Sequence, residues 1–257
     1  MKRLEIGAPD ARFGALLVHG NDLCAEFYQP LAEALAAHDV RTVLVTLPGF
    51  SGQPPSTPGP PRWDDFAVEL AALLDASFPR GAALIGHSLG GLFAFLAAAR
   101  APRALRSLVL CEPPIFPTRA LAAAAARTYT RDVVFAARDE FHNWSGSTWR
   151  IHRPADFPAA ALAHYLDSRR RSDPAWVGAL FEALPALYPL PYAAVTVPTL
   201  IVRGAHSGWR MRANLAILRR RFPNPTAVTI PGCAHFMANE ADAALAAAIA
   251  GFIRTAG

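Results

Sequence analysis

The chain predicts an α/β fold, with a mostly parallel central sheet, helices on both faces and an inserted helical cap. Three observations predict it. Short apolar runs rich in β-branched residues alternate with segments of helical spacing, the pattern of a sheet covered on both sides. A Gly-rich pentapeptide, Gly86-His87-Ser88-Leu89-Gly90, joins one such run directly to one such helix. Residues 113–197 then break the alternation: they carry no strand pattern and many Ala, Arg, Pro and aromatic residues.

The elements follow in order. Ala15-Leu16-Leu17-Val18 reads as a buried strand that ends in His19-Gly20-Asn21-Asp22. Residues 27–37 have helical spacing, with Leu31, Ala34 and Leu35 on one face. Residues 42–46 form a second strand, which runs into Leu47-Pro48-Gly49-Phe50-Ser51-Gly52 and a Pro-rich loop through Pro61. Residues 63–78 are helical. Residues 82–85 are the strand before the pentapeptide and residues 91–100 the helix after it. A further strand at 107–111 is stopped by Glu112-Pro113-Pro114. Strands at 199–203 and 227–230 end in Gly204 and in Pro231-Gly232, and a helix spans residues 240–254. Ligands in such sheets bind beyond the carboxyl ends of the strands. The domain organisation expected is therefore a core of residues 1–112 and 198–257, with residues 113–197 as a cap over the site. The cap's aromatic residues include Phe116, Tyr129, Phe135, Phe141, Trp144, Trp149, Tyr165, Trp176, Phe181 and Tyr188.

Composition narrows the function classes. At 257 residues, 53% of them hydrophobic, the chain is long enough for one large α/β domain. No run approaches the roughly 18 apolar residues of a membrane span. The N-terminal segment lacks an apolar core of the signal-peptide kind, so a cytoplasmic location is expected. Three cysteines, Cys24, Cys111 and Cys233, stand at irregular spacing. Neither a disulfide framework nor a zinc site is expected from them, and reduced thiols packing as small apolar groups are. The net charge of +5 is carried almost wholly by arginine, since Lys2 is the only lysine. The triplets Arg169-Arg170-Arg171 and Arg219-Arg220-Arg221 lack interleaved aromatics, so solvated helix faces are expected and no nucleic-acid partner. No metal or cofactor is expected either.

The candidate chemistry centres on Ser88. A strand that turns this sharply into a helix strains the intervening residue, and glycines on both sides avoid the clashes that Cβ atoms would cause. The hydroxyl then lies at a helix N-terminus, where free N–H groups favour a developing negative charge. A serine needs a base, itself oriented by an acid, to act as a nucleophile at neutral pH. His235, in Gly232-Cys233-Ala234-His235-Phe236, is the only one of eight histidines after the final strand. The acid is less obvious. The loop after the 199–203 strand, Gly204-Ala205-His206-Ser207-Gly208-Trp209-Arg210, has no carboxylate, and no Asp or Glu lies between Glu182 and Glu240. Glu112, at the carboxyl end of the strand after the Ser88 unit, is the candidate; Asp22, Asp139 and Glu140 are the alternatives. The backbone N–H of Leu89 and that of Asn21 are the candidate oxyanion donors, with the Asn21 amide as a further one. His19 is expected to brace the loop that carries Asn21.

With these residues assembled, the chain resembles the α/β-hydrolase fold superfamily across nearly its whole length. The matching marks are Val18-His19-Gly20-Asn21, Leu47-Pro48-Gly49-Phe50-Ser51-Gly52, Gly86-His87-Ser88-Leu89-Gly90-Gly91 and Gly232-Cys233-Ala234-His235-Phe236. The resemblance implies a serine hydrolase acting through an acyl-enzyme, most simply a carboxylic ester hydrolase for a small to medium apolar ester. Certain haloalkane dehalogenases of this superfamily place a glutamate where Glu112 stands and carry a His-Gly-Asn loop. Their nucleophile is aspartate, however, and an ether formed on Ser88 could not be hydrolysed as an aspartyl ester is. Lactonases, carbon–carbon bond hydrolases and cofactor-free haloperoxidases share the serine layout and are the alternatives. So is a ligand-binding member without catalysis, motivated by the missing acid. Arg150 and Arg153 in the cap could receive a substrate carboxylate, but solvated faces are the reading expected for the cap arginines.

Overall fold

A computed structural model describes residues 1–56, 59–128, 151–223 and 225–256. Seven strands form one sheet: β1 (Lys2–Ile6), β2 (Phe13–Val18), β3 (Val40–Thr46), β4 (Ala82–His87), β5 (Leu105–Cys111), β6 (Thr199–Gly204) and β7 (Pro225–Ile230). Their order is β1-β3-β2-β4-β5-β6-β7. Every pairing is parallel except β1 with β3. The helices, in chain order, are α1 (Gln29–Ala36), α2 (Trp63–Ser77), α3 (Leu89–Ala98), α4 (Arg119–Thr128), α5 (Ala159–Arg171), α6 (Pro174–Glu182), α7 (Trp209–Arg221), α8 (Met237–Glu240) and α9 (Asp242–Ala256).

The continuous apolar runs are explained by burial on both faces. Successive strand residues point to opposite sides. Leu16, Val18, Val43, Leu84, Leu108 and Ile201 join one core cluster with Leu70 and Leu74 of α2 and Phe93 of α3. The residues between them, Leu17, Leu44, Ile85, Val109 and Leu200, join a second with Leu31 and Leu35 of α1 and Leu245 and Ile249 of α9. All of these strand residues are at most 2% exposed. At about 1.5–3 kcal/mol for each large apolar side chain fully buried, both faces contribute to holding the sheet.

The predicted strands are all present, each extended by one or two residues. Three differences have clear physical causes. β1 is absent from the prediction because Lys-Arg-Leu-Glu-Ile is mostly exposed; it pairs through backbone hydrogen bonds at an edge, where charged side chains are typical. α3 begins at Leu89 rather than residue 91, because the helix starts as soon as the chain leaves Ser88. α7 escapes notice because its arginines mask the helical period: only Met211, Asn214 and Leu218 are buried.

Residues 113–197 lie between β5 and β6 and, where described, contain helices and no strand: α4, α5 and α6, with short 3-10 turns at Pro154–Asp156, Leu184–Leu187 and Tyr192–Ala194. Asp173 starts α6 by accepting hydrogen bonds from the N–H groups of Ala175 (2.9 Å) and Trp176 (3.2 Å), with Pro174 at the first helical position. Tyr129, Phe135, Asp139, Glu140, Phe141, Trp144, Trp149 and Arg150 lie outside the described residues. Both arginine triplets end helices, α5 and α7. Arg219, Arg220 and Arg221 are exposed as expected, but Arg169 is only 4% exposed and donates to the Tyr165 hydroxyl at 2.9 Å. That side chain is part of the packing and not of a solvated face. The three cysteines are free and buried.

Candidate functional site

The parallel register brings five chain segments to one edge of the sheet. Val18 lies opposite Gly86, His87 opposite Cys111, Cys111 opposite Val202, and Gly204 opposite Ile230. The residues that follow these positions therefore meet: His19 to Asp22, Ser88, Glu112, the turn after Gly204, and the loop that carries His235.

Ser88 has φ 51° and ψ −125°, a region that side chains rarely adopt. Its N–H donates to the Cys111 carbonyl at 2.8 Å, which ties the turn to the end of β5. The turn closes only because its flanks lack side chains. A Cβ on Gly86 would stand 2.3 Å from the Gly90 carbonyl oxygen, and a Cβ on Gly90 would stand 2.3 Å from the carbonyl oxygens of both Val18 and His19. Ser88 is 1% exposed, and its hydroxyl has no hydrogen-bond partner among the described residues. As the first residue of α3, Leu89 has an N–H with no acceptor within the helix.

Glu112 and His235 meet across 123 positions of sequence: Nδ1 of His235 and Oε2 of Glu112 are 2.8 Å apart, and both side chains are 1% exposed. Glu112 also has a positive φ of 47°, and its own N–H donates to the Val202 carbonyl at 3.0 Å. Its second oxygen, Oε1, accepts from the Gly204 N–H at 2.9 Å. The carboxylate on the histidine thus comes from the end of β5, and the last residue of β6 contributes a backbone donor to it. Burial pushes Glu112 above the usual carboxylate range and His235 below the usual histidine range. The Gly204 N–H opposes the upward push on Glu112, while the Ser207 hydroxyl has no hydrogen-bond partner among the described residues. The alternative acid Asp22 is buried with φ 54° and accepts from the Asn21 amide at 3.2 Å.

The loop after β2 abuts the serine: a Cβ on Gly20 would lie 3.1 Å from Ser88 Cβ. His19 braces this loop as expected. Its Nε2 accepts from the Leu47 N–H at 2.9 Å, so Nδ1 carries the proton and donates to the Gly20 carbonyl at 2.6 Å. Burial lowers its pKa to about 4, which keeps the ring neutral. The Asn21 side-chain amide faces Asp22, so its backbone N–H is the simpler of its two candidate donors.

Three neighbours of the site escaped the sequence reading. Tyr28 and His87 hydrogen bond to each other at 2.6 Å, and His87 also bonds to the His235 backbone. Glu240 accepts from the Ala234 N–H at 3.0 Å and from the His152 N–H, so it ties the His235 loop to residue 152. The signals were slight: His87 stands at a variable position of the pentapeptide, and Glu240 is merely the first acid after a long acid-free stretch. No group of three or more metal-ligating side chains is found among the described residues. None of the described helices is long and apolar enough to cross a membrane.

Comparison with known proteins agrees with this architecture. A family model described as "Alpha/beta hydrolase family" matches residues 15–248. A 2-(acetamidomethylene)succinate hydrolase of Mesorhizobium japonicum is 30% identical over 207 residues, 74% of this chain and 70% of its own. A pimeloyl-[acyl-carrier protein] methyl ester esterase of Aromatoleum aromaticum is 28% identical over 251 residues, 90% of this chain and 94% of its own. Among solved structures, the enol-lactonase of Burkholderia xenovorans superposes with a TM-score of 0.74 at 19% identity, covering 98% of this chain and 96% of that one.

Proposed function

Because the chain belongs to the alpha/beta hydrolase family, we propose that it is a serine hydrolase that cleaves a carboxylic ester through an acyl-enzyme. The observation that carries this reading is the 2.8 Å contact between Glu112 and His235 beside a serine held at φ 51°. Ser88 Oγ attacks the ester carbonyl while His235 Nε2 takes its proton. Glu112 holds the ring through Nδ1–H and stabilises the imidazolium. The backbone N–H groups of Leu89 and Asn21 hold the oxyanion. Collapse of the tetrahedral intermediate expels the alcohol, which receives the proton from His235. A water, deprotonated by His235, then attacks the acyl-serine, and the acid product leaves with Ser88 reprotonated.

Residues 113–197 serve in this reading as the cap over the core of residues 1–112 and 198–257. Its described part touches the site. Trp176 packs edge-on against Phe50 at 6.0 Å, and Phe157 and Tyr165 lie 6.0 and 6.1 Å from Phe236, the neighbour of His235. Aromatic packing of this kind beside the His235 loop suits a small to medium apolar ester.

Hydrolysis of p-nitrophenyl esters from acetate to decanoate tests the proposal, with Ser88→Ala as control. The expected outcome is turnover that the control lacks. Turnover that survives in Ser88→Ala overturns the assignment of the nucleophile. If no ester turns over and an organophosphonate fails to label Ser88, the hydrolase reading gives way to ligand binding.

A further inference from the structure

Three hydrogen bonds link the loop after β2 to the His235 loop, and their polarity is forced. The Gly20 N–H can only donate, so Tyr28 Oη accepts it, at 2.9 Å. The His235 backbone carbonyl can only accept, so His87 Nε2 carries a proton and donates to it, at 2.8 Å. Burial keeps the ring neutral, so Nδ1 carries no proton and accepts from the Tyr28 hydroxyl, at 2.6 Å. The bonds join residues 8, 59 and 148 positions apart. Tyr28 and His87 are at most 3% exposed, so water does not compete for these groups. The His87 and His235 rings also lie 4.6 Å apart.

We propose that Tyr28 and His87 form a buried strut that sets the distance between the oxyanion donor on Asn21 and the ring of His235. The proposal rests on the serine-hydrolase reading above. Neither side chain touches the reacting atoms in that reading: Tyr28 acts through Gly20, the residue before Asn21, and His87 acts through the backbone of His235. Such a strut serves a step in which the oxyanion N–H and the base act on one intermediate, where small misplacements are costly. It works in one protonation state only. A proton on His87 Nδ1 would face the Tyr28 hydroxyl donor and break the sequence of bonds. Burial lowers the His87 pKa to about 3, which keeps that proton off.

Steady-state kinetics of Tyr28→Phe, His87→Phe and the double variant test the strut, alongside nitrogen-15 NMR of the histidines in the unaltered protein. Each single variant is expected to lower kcat about tenfold to a hundredfold while KM stays within about twofold. The double variant is expected to lose less than the product of the two single losses, as members of one network do. The NMR spectrum should show His87 protonated at Nε2 alone. An Nδ1-protonated His87, or single variants with kcat within about twofold of the parent, overturn the strut. So does a double variant whose losses multiply. These outcomes are separate from failure of the hydrolase reading, which shows in the parent protein as no ester turnover and no labelling of Ser88.

Discussion

At the scale of single residues, the unusual choice in this chain is the origin of the carboxylate on His235. Glu112 reaches the imidazole from the end of β5, while the last residue of β6 offers it the Gly204 N–H. Glu112→Gln keeps the shape and removes the charge that, in the proposed mechanism, stabilises the imidazolium. We expect kcat to fall by about a thousandfold or more, with an unchanged circular dichroism spectrum; near-parental turnover would exclude Glu112 from the mechanism. The pH profile carries the same information. In the proposed mechanism the active form has Glu112 ionised and His235 neutral, so activity should be lost as pH falls and Glu112 gains a proton. Burial raises the pKa of Glu112, so the acid limb of kcat/KM should lie above the ordinary carboxylate range of about 4. A profile flat from that range up to neutral pH would contradict it. Much of this was legible in the chain. Ser88 and His235 stand in motifs, and the empty stretch between Glu182 and Glu240 turned attention to Glu112 at the end of the next strand, with Asp22, Asp139 and Glu140 as alternatives. Tyr28 and Glu240 were not, because a tyrosine in an apolar stretch and an acid at a helix end look ordinary until their partners are known.

At the scale of elements, the strand–turn–helix unit of β4, Ser88 and α3 is held by steric exclusion. Gly90→Ala would place a methyl 2.3 Å from two backbone carbonyl oxygens on the neighbouring strand end, and backbone cannot swing aside as a flexible side chain can. The expected outcome is a loss of about 1–3 kcal/mol or more in urea unfolding, together with loss of Ser88 labelling. A variant as stable and as reactive as the parent would show that the turn has slack. Apolar runs revealed β2 through β6, because each is buried on both faces; β7 is a half-exposed edge strand, of which Ile230 alone is fully buried, and its short β-branched run was still enough to mark it. The same logic hid β1 and α7: one is an exposed edge and the other a mostly polar helix, and neither needs a long apolar run.

At the scale of the whole molecule, stability should be graded across the sheet. The central strands β2, β4 and β5 are covered on both faces, whereas β1 is bonded on one side only. Hydrogen exchange should be slowest in the three central strands and fast in β1. Equal protection of β1 and β4 would mean that something else covers that edge.

The sequence by itself determined the layered α/β architecture and the strained serine turn, and it set His235 after the last strand, because each depends on residues close together in the chain: short apolar runs between helical segments, a pair of glycines, a histidine beyond the final run. Only the tertiary structure decided which groups these residues meet. The parallel register sets Cys111 beside both His87 and Val202, and so delivers Glu112 to His235. It also aligns Gly20, Tyr28, His87 and His235 in one donor direction. Contacts across 59 to 148 positions leave no local trace, since nothing in a short stretch of chain records which strand will lie beside it.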